Sequence, residues 1–208
     1  MPEEQQNPTQ SATGIEQADD PLALFTQWMQ DAKSSELNDP NAMSLATATP
    51  DGIPSVRIVL LKRFDEQGFA FYTNGESRKG SELRANQHAA LCLHWKSQQR
   101  QVRIEGLISE LPPADVDAYF KRRYRMSQIG AWASQQSRPL ASREDLLAAT
   151  AEYEKKFPEE VPRPPYWTGF LVAPASIEFW AEGDYRLHDR FVFTRSGNGS
   201  WSKQRLYP

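Results

Sequence analysis

Short apolar runs separated by hairpin-type turns fill most of the chain after residue 41, and they constrain its fold more than any other feature. MSLATAT, PSVRIVLLKRF and FAFYTN are separated by the turn sequences PDG and DEQG. AALCLHWKS and RQVRIEGLISEL form another pair, and WTGFLVA, SIEFWAEG, RLHDRFVFTR and SWSKQRLYP follow near the C-terminus. Regular strands joined by tight turns are typical of antiparallel sheets that close on themselves. We therefore predict a mainly β (α+β) fold, an antiparallel barrel decorated by helices.

Helical segments interrupt this pattern at three places. DPLALFTQWMQDA predicts an amphipathic helix with Asp20 as its cap and Pro21 in its first turn. SRKGSELRAN predicts a short helix, and residues 113–157 switch to a helical period. Residues 1–19, rich in Gln, Glu, Pro, Ser and Thr, are expected to form a disordered tail. The remainder, 20–208, is expected to be one domain.

Charge and composition exclude several classes of protein. Residues 1–56 hold nine acidic groups and one basic group, which leaves 23 basic and 18 acidic residues after them. That mild excess is too small for a nucleic-acid surface but suits a pocket for small phosphorylated ligands. The absence of a long apolar run argues against a membrane protein. One cysteine, Cys92, and no leader-like segment predict a cytoplasmic location.

Common catalytic motifs are missing from the sequence. It contains no GxGxxG after a strand, no GxxxxGKS/T and no GxSxG. Three scattered histidines and one cysteine do not make a conventional zinc set, so we expect no metal. The candidate chemistry therefore lies in basic and amide-bearing side chains on otherwise apolar strands.

Basic residues flank two of these strands. Arg57 and Lys62 bracket an apolar run of about 17 Å, comparable to the reach from a phosphate to the far edge of a fused aromatic ring. A structural role, in which both charges cap a buried strand, is equally compatible with this spacing. In FYTNGESRKG, Arg78 and Lys79 fall at a helix start, which favours an anion but also suits an ordinary solvated terminus.

Two further segments carry clustered cations. YFKRRYRMSQIGAWASQQS places four basic residues between 121 and 125 ahead of a nearly charge-free stretch. As a strand, RLHDRF would point Arg186, His188 and Arg190 to one face. Each pattern is explained either by solvation and the helix dipole or by a bound anion.

The combination of RIVLLK, FYTNGESRKG, SQIGAWASQQS and FWAEGDYRLHDRF resembles the pyridoxine (pyridoxamine) 5′-phosphate oxidase family across about residues 20–208. The resemblance implies an FMN-binding split β-barrel that works as a homodimer, with FMN at the subunit interface. It also implies oxidation of pyridoxine 5′-phosphate and pyridoxamine 5′-phosphate to pyridoxal 5′-phosphate. Oxygen would be the acceptor, hydrogen peroxide would be released, and the amine substrate would also release ammonia.

The same resemblance implies roles for individual residues. The implied FMN contacts from one subunit are Arg57, Ile58, Val59, Leu60, Leu61, Lys62, Tyr72, Thr73, Arg78, Lys79 and Gln101. Those implied from the other subunit are Gln136, Ser137, Trp180 and Arg190. The substrate phosphate would be held by Lys62, Tyr119, Arg123 and Ser127. Arg186 and His188 would act catalytically at the pyridoxine ring.

Two alternatives and two departures accompany this hypothesis. One alternative is a related flavin oxidase that acts on another substrate, such as a phenazine precursor. The other is a non-catalytic carrier of FMN or pyridoxal phosphate.

The sequence departs from the family pattern at two places. Where the family usually has Ser-Arg-Pro-Arg, this sequence has Arg122, Arg123, Tyr124 and Arg125. Loss of the proline is expected to free a loop and alter phosphate affinity. The N-terminal tail also lacks the Arg and Tyr with which some members cover the substrate.

Overall fold

The computed structural model describes residues 14–208, so most of the expected tail lies outside the described residues. Five α-helices and nine strands make up this part of the chain. The helices are α1 (Pro21–Ser35), α2 (Arg78–Ala85), α3 (Pro113–Lys121), α4 (Arg125–Ala133) and α5 (Arg143–Lys156). The strands are β1 (Ala42–Ala48), β2 (Pro54–Leu60), β3 (Arg63–Asp65), β4 (Gly68–Asn74), β5 (His88–Trp95), β6 (Arg100–Glu110), β7 (Trp167–Ala181), β8 (Asp189–Arg195) and β9 (Trp201–Leu206).

All nine strands belong to one curled antiparallel sheet, which confirms the predicted fold class. The strand order is β2-β1-β5-β6-β7-β4-β3, and β8 and β9 extend from β7. The long strand β7 pairs with β4 through its first half and with β8 through its second half. The register between β6 and β7 shifts between Glu105 and Gly106, where Ala175 of β7 has no cross-strand partner. The strands approach closely there, since a Cβ on Gly106 would lie 2.0 Å from the Ala173 carbonyl oxygen.

Helix α1 packs its apolar face on the inside of the curled sheet. The Asp20 carboxylate caps it by accepting a hydrogen bond from the Leu22 N–H at 2.8 Å, and Pro21 occupies the first turn. Phe25 and Trp28 are fully buried and make edge contacts with Phe69 and Phe179, respectively. The predicted helix and its buried face are thus confirmed.

The packed structure begins before residue 20. Residues 14–17 form a turn, and Ile15 is fully buried in the barrel core. The Lys203 ammonium donates hydrogen bonds to the carbonyl oxygens of Glu16 and Ala18, both at 2.7 Å. This short segment is therefore attached to β9, although the sequence predicted a disordered tail through residue 19.

Three predicted strands differ in extent from the strands in the structure. PSVRIVLLKRF is not one strand: β2 ends at Leu60, and the Lys62 N–H bonds instead to Ala70 of β4. WTGFLVA and SIEFWAEG are not two strands but the continuous β7. RLHDRF is not wholly extended, since β8 begins at Asp189 and a short 3-10 turn precedes it.

None of the helices in residues 14–208 has both the length and the apolar character needed to cross a bilayer.

Candidate active site

A cleft of about 800 Å³ opens between β2, β4 and the α3–α4 region. Its lining consists of strand residues on one side and helix and loop residues on the other. The lining residues are Ile58, Val59, Leu60, Lys62, Tyr72, Thr73, Asn74, Lys79, Tyr119, Arg122, Arg123, Tyr124, Ser127, Gly130, Ala131, Ser134, Gln136 and Trp167. This set contains four cations and no carboxylate, so the cleft is suited to an anionic ligand.

Stacked aromatic rings form one wall of the cleft. The Tyr72 ring lies 4.0 Å from the Tyr119 ring and 5.4 Å from the Trp167 ring, measured between centroids, with all planes nearly parallel. Gly169 makes room for this stack, because a Cβ there would lie 2.8 Å from the Tyr72 ring. The result is a rigid apolar surface beside the charged groups.

Arg123 lines the cleft in an unusual environment. Its guanidinium stacks on Trp167 at 4.8 Å, and its Nη1 is buried without a hydrogen-bond partner among the described residues. Burial lowers the pKa of Arg123 from its usual value. A buried guanidinium N–H without a partner is costly, so this nitrogen is suited to an incoming acceptor.

Lys79 lies elsewhere along the cleft, at the start of α2. Its ammonium donates to Gln136 Oε1 at 2.7 Å and to the hydroxyls of Thr73 and Ser77 at 3.2 Å. Burial, together with the charge of Arg57, lowers the pKa of Lys79 to about 8. Within residues 14–208 it has no carboxylate partner, so its charge is uncompensated when protonated.

Arg57 and Arg78 lie outside the cleft lining and share one buried acid, Glu82. The Glu82 carboxylate pairs with Arg57 at 3.2 Å and with Arg78 at 2.8 Å. Burial raises its pKa, but hydrogen bonds from Ser55, Thr47 and Arg78 and the charge of Arg78 outweigh that and lower the pKa to about 2. Glu82 is therefore an anion that holds both guanidinium groups at the α2 start.

A second group of predicted residues lies on the outer face of β6, β7 and β8. Gln101 is the cross-strand partner of Trp180, which in turn is the partner of Arg190. The His188 ring packs on Trp180 with a centroid distance of 4.7 Å. None of these four residues, nor Arg186, lines the cleft of its own chain.

The structure therefore separates the predicted site residues of one chain into two sets. In the cleft set, Gln136 accepts a hydrogen bond from Lys79 of the same chain at 2.7 Å. Gln101 lies with Trp180 and not with the cleft residues of its chain. The Leu61 side chain is 4% exposed and packs in the core, so it does not face the cleft. Ser137, with φ of 72°, adjoins the cleft without lining it.

Sequence reasoning missed several residues that line the cleft. Trp167 completes the aromatic stack. Arg122 and Tyr124, in the α3–α4 loop, also line the cleft. The only signal in the sequence for Arg122 and Tyr124 is that both adjoin Arg123. For Trp167, no local pattern indicates that β7 begins beside Tyr72.

The α3–α4 loop is held in place without the proline that the family usually has. Tyr124 has φ of −54°, within the range that a proline imposes. The Arg125 guanidinium donates to the carbonyl oxygens of Glu159, at 2.6 Å, and Phe157. Arg125 thus anchors the loop to the segment after α5, and the effect of the missing proline on phosphate affinity stays a prediction.

Comparison with known proteins identifies the family. Residues 29–157 match the family model described as pyridoxamine 5′-phosphate oxidase, and residues 167–208 match the pyridoxine 5′-phosphate oxidase C-terminal dimerisation region. The chain belongs to the pyridoxamine 5′-phosphate oxidase family. Relatives from Brucella canis and Brucella suis, both named pyridoxine/pyridoxamine 5′-phosphate oxidase, are each 54% identical over 202 residues, which cover 96% of this chain and 100% of the relative.

Two solved structures are also similar to this chain. PhzG from Burkholderia lata, solved in complex with tetrahydrophenazine-1-carboxylic acid, is 34% identical, with a TM-score of 0.87 and coverage of 92% of this chain and 94% of that one. An FMN-binding protein from Nostoc punctiforme, described as pyridoxamine 5′-phosphate oxidase-related, is 16% identical, with a TM-score of 0.74 and coverage of 92% and 100%. The Nostoc protein supports the fold alone.

Proposed function

We propose that this oxidase-family chain converts pyridoxine 5′-phosphate and pyridoxamine 5′-phosphate to pyridoxal 5′-phosphate. FMN is its cofactor, oxygen is the acceptor, and hydrogen peroxide is released. The observation that carries this proposal is Arg123, whose buried Nη1 has no hydrogen-bond partner among the described residues, in an aromatic-walled cleft whose lining contains no carboxylate. A relative of that activity by name, at 54% identity, supports it.

The residues around Lys79 fit FMN. A buried ammonium with neutral hydrogen-bond partners favours an anionic group such as the FMN phosphate. We assign FMN binding to Lys79, Thr73 and Gln136, with Ile58–Leu60 and Tyr72 as the adjoining cleft wall and Arg57 and Arg78 held nearby by Glu82. Bound FMN supplies the two-electron acceptor for the oxidation and its reoxidation by oxygen.

The substrate phosphate is assigned to the other cationic part of the cleft. Lys62 and Arg123 provide positive charge, and Tyr119 and Ser127 provide hydroxyl groups. Neither cation has an ion pair with a carboxylate in the described part of the chain. Charge-assisted hydrogen bonds to a dianionic phosphate would satisfy both and would fix the position of the pyridine ring.

A second subunit completes the site in this proposal. Trp180, Arg186, His188 and Arg190 lie within residues 167–208, the segment that matches the dimerisation region. They do not line the cleft of their own chain, and Gln101 lies beside them. A homodimer that brings this face to the partner's cleft unites the two sets, with Arg186 and His188 next to the substrate ring.

The His188 ring is held in a defined orientation. Its Nδ1 accepts a hydrogen bond from the Gly183 N–H at 3.2 Å. Since Nδ1 accepts, the neutral ring carries its proton on Nε2. His188 would therefore present an N–H donor to the substrate and would orient its 4′ oxygen or nitrogen.

The two alternative functions are less well supported. The 34% identity to PhzG is lower than the 54% identity to the named oxidases, and a phosphate-binding set is retained in the cleft. A non-catalytic carrier has no need of the second set of site residues around Arg186 and His188.

A cytoplasmic location remains part of the proposal, and the unpaired Cys92 supports a reducing compartment.

Aerobic turnover tests the proposed function. FMN-loaded protein is mixed with pyridoxine 5′-phosphate, and pyridoxal 5′-phosphate and hydrogen peroxide are followed together. Matched appearance of both products is the expected result. A flavin-loaded protein that forms neither from the alcohol or the amine substrate would refute the proposal in favour of a carrier or another substrate.

The pH dependence of FMN binding tests the assignment of Lys79. Because its pKa is lowered to about 8, Lys79 is protonated below that pH and loses its charge above it. Bound phosphate favours the protonated form, so the Kd for FMN should be constant just below pH 8. It should then rise by up to about tenfold per pH unit above that value. Flavin fluorescence quenching, titrated from about pH 7 to about pH 9.5, measures this.

Lys79→Met is the matched control for that titration. It keeps a chain of similar length without the charge, so it should bind FMN more weakly and with a flat profile over the same pH range. An unchanged Kd for the wild-type protein across that range would rule out Lys79 as a phosphate ligand.

A further inference from the structure

The four cations between residues 121 and 125 divide into two pairs by what they contact. Lys121 pairs with Glu160 at 3.7 Å, and Arg125 donates to backbone carbonyls after α5. Neither residue lines the cleft. Arg125 therefore anchors the α3–α4 loop, whereas Lys121 makes only an exposed surface ion pair, a kind that contributes little to stability.

Arg122 and Arg123 form the other pair. Both line the cleft, and neither has a carboxylate partner within residues 14–208. Arg123 is the cation already assigned to the substrate phosphate, whereas no role has been assigned to Arg122. The structure thus contains one uncompensated cation more than the assigned phosphate site uses.

The backbone of Arg122 is fixed next to the assigned phosphate ligands. Its N–H donates to the Tyr119 carbonyl oxygen at 3.1 Å at the end of α3. Its guanidinium carbon lies 5.9 Å from the centroid of the Tyr119 ring. The side chain itself is exposed at the cleft, so it is free to contact an anion bound between Tyr119 and Arg123.

We propose that Arg122 is an additional phosphate-binding residue that increases affinity for the phosphorylated substrate and product. The inference rests on the proposed function and deepens it. The serine that the resemblance implies at this position would contribute a hydroxyl but no charge. With Arg122, the phosphate faces three cations, since Lys62 and Arg123 are already in place.

The contribution of Arg122 should be electrostatic and therefore modest and sensitive to salt. An exposed charge pair of this kind corresponds to about a two- to fivefold change in binding at low ionic strength. Added salt screens it with a Debye length of about 8 Å at physiological ionic strength. Since Arg122 would hold the phosphate and not the reacting carbon, KM should change while kcat does not.

Arg122→Ser tests the proposal in the FMN-loaded dimer. It should raise the KM for pyridoxine 5′-phosphate about two- to fivefold with kcat unchanged, and it should raise the inhibition constant of inorganic phosphate by a similar factor. Arg122→Lys should restore most of the affinity. Lys121→Ser, which removes a neighbouring cation outside the cleft, should leave both constants unchanged.

Either of two results would overturn the assignment: equal KM and phosphate inhibition in Arg122→Ser and wild type, or an equal change in Lys121→Ser. Failure of the proposed function is distinguishable. If the wild-type protein does not turn over, calorimetric binding of pyridoxal 5′-phosphate to the same three variants still compares the Arg122 effect. Tighter binding by wild type than by Arg122→Ser supports the proposal, and equal binding refutes it.

Discussion

Replacing Arg186 with alanine is expected to lower kcat about hundredfold while FMN stays bound, because loss of substrate orientation has effects of that size. Arg186 is exposed and makes no ion pair or hydrogen bond with any residue in 14–208. It also adopts φ of 65°, next to Tyr185 at 56°. Two successive non-glycine residues in the left-handed region are strained, and such strain is concentrated at functional sites.

FMN should remain bound in Arg186→Ala because its assigned anchors, Lys79 and Gln136, lie in the cleft of the other subunit. The flavin absorbance of the purified variant and its kcat with pyridoxine 5′-phosphate are the two measurements. Arg195→Ala is the control, since Arg195 is an exposed cation on β8 outside both residue sets. Normal turnover of Arg186→Ala would refute the role of Arg186 at the substrate ring.

Arg123→Met is expected to raise the KM for pyridoxine 5′-phosphate about hundredfold, because each charge-assisted hydrogen bond lost is equivalent to about 1.5–3 kcal/mol. Methionine retains an apolar chain that packs on Trp167 and Phe120, where the guanidinium now stacks. It also removes a buried Nη1 that has no partner in the described structure. The melting temperature should therefore be unchanged or higher, even though the substrate binds poorly.

Steady-state kinetics and thermal unfolding of the FMN-loaded protein separate these two effects. Lys121→Met serves as the control, because Lys121 is exposed and, among the described residues, forms an ion pair only with Glu160. A fall in melting temperature with an unchanged KM would mean that Arg123 stabilises the fold and does not bind phosphate.

These two predictions also separate the proposed function from its alternatives. A carrier would lose phosphate-ligand binding in Arg123→Met but would have no turnover for Arg186→Ala to reduce. An oxidase of a non-phosphorylated substrate would be sensitive to Arg186→Ala and insensitive to Arg123→Met. Only an oxidase of a phosphorylated substrate is expected to show both a lower kcat in Arg186→Ala and a higher KM in Arg123→Met.

Rules that depend on neighbouring residues were sufficient to predict much of the secondary structure and part of the cleft. Asp20 and Pro21 locate the start of α1, and Ser77 caps α2 where the sequence predicts a helix start. The apolar alternation identifies the strands of the barrel, and the basic residues that follow α3 mark one part of the cleft. Capping, turn geometry and side-chain period each depend on a few neighbouring residues, so they can be read directly from the sequence.

Tertiary structure alone decided which strands pair and which site residues meet. Alternation along PSVRIVLLKRF does not reveal that β2 pairs with β1 while Lys62 bonds to β4. It likewise does not reveal that Gln101 lies beside Trp180 and Gln136 beside Lys79. Strand partners are set by contacts between residues far apart in the chain, through packing of the whole core. The sequence therefore determined the types of element and the chemistry of the site, whereas the long-range pairing of β6, β7 and β8 divided that site into two surfaces.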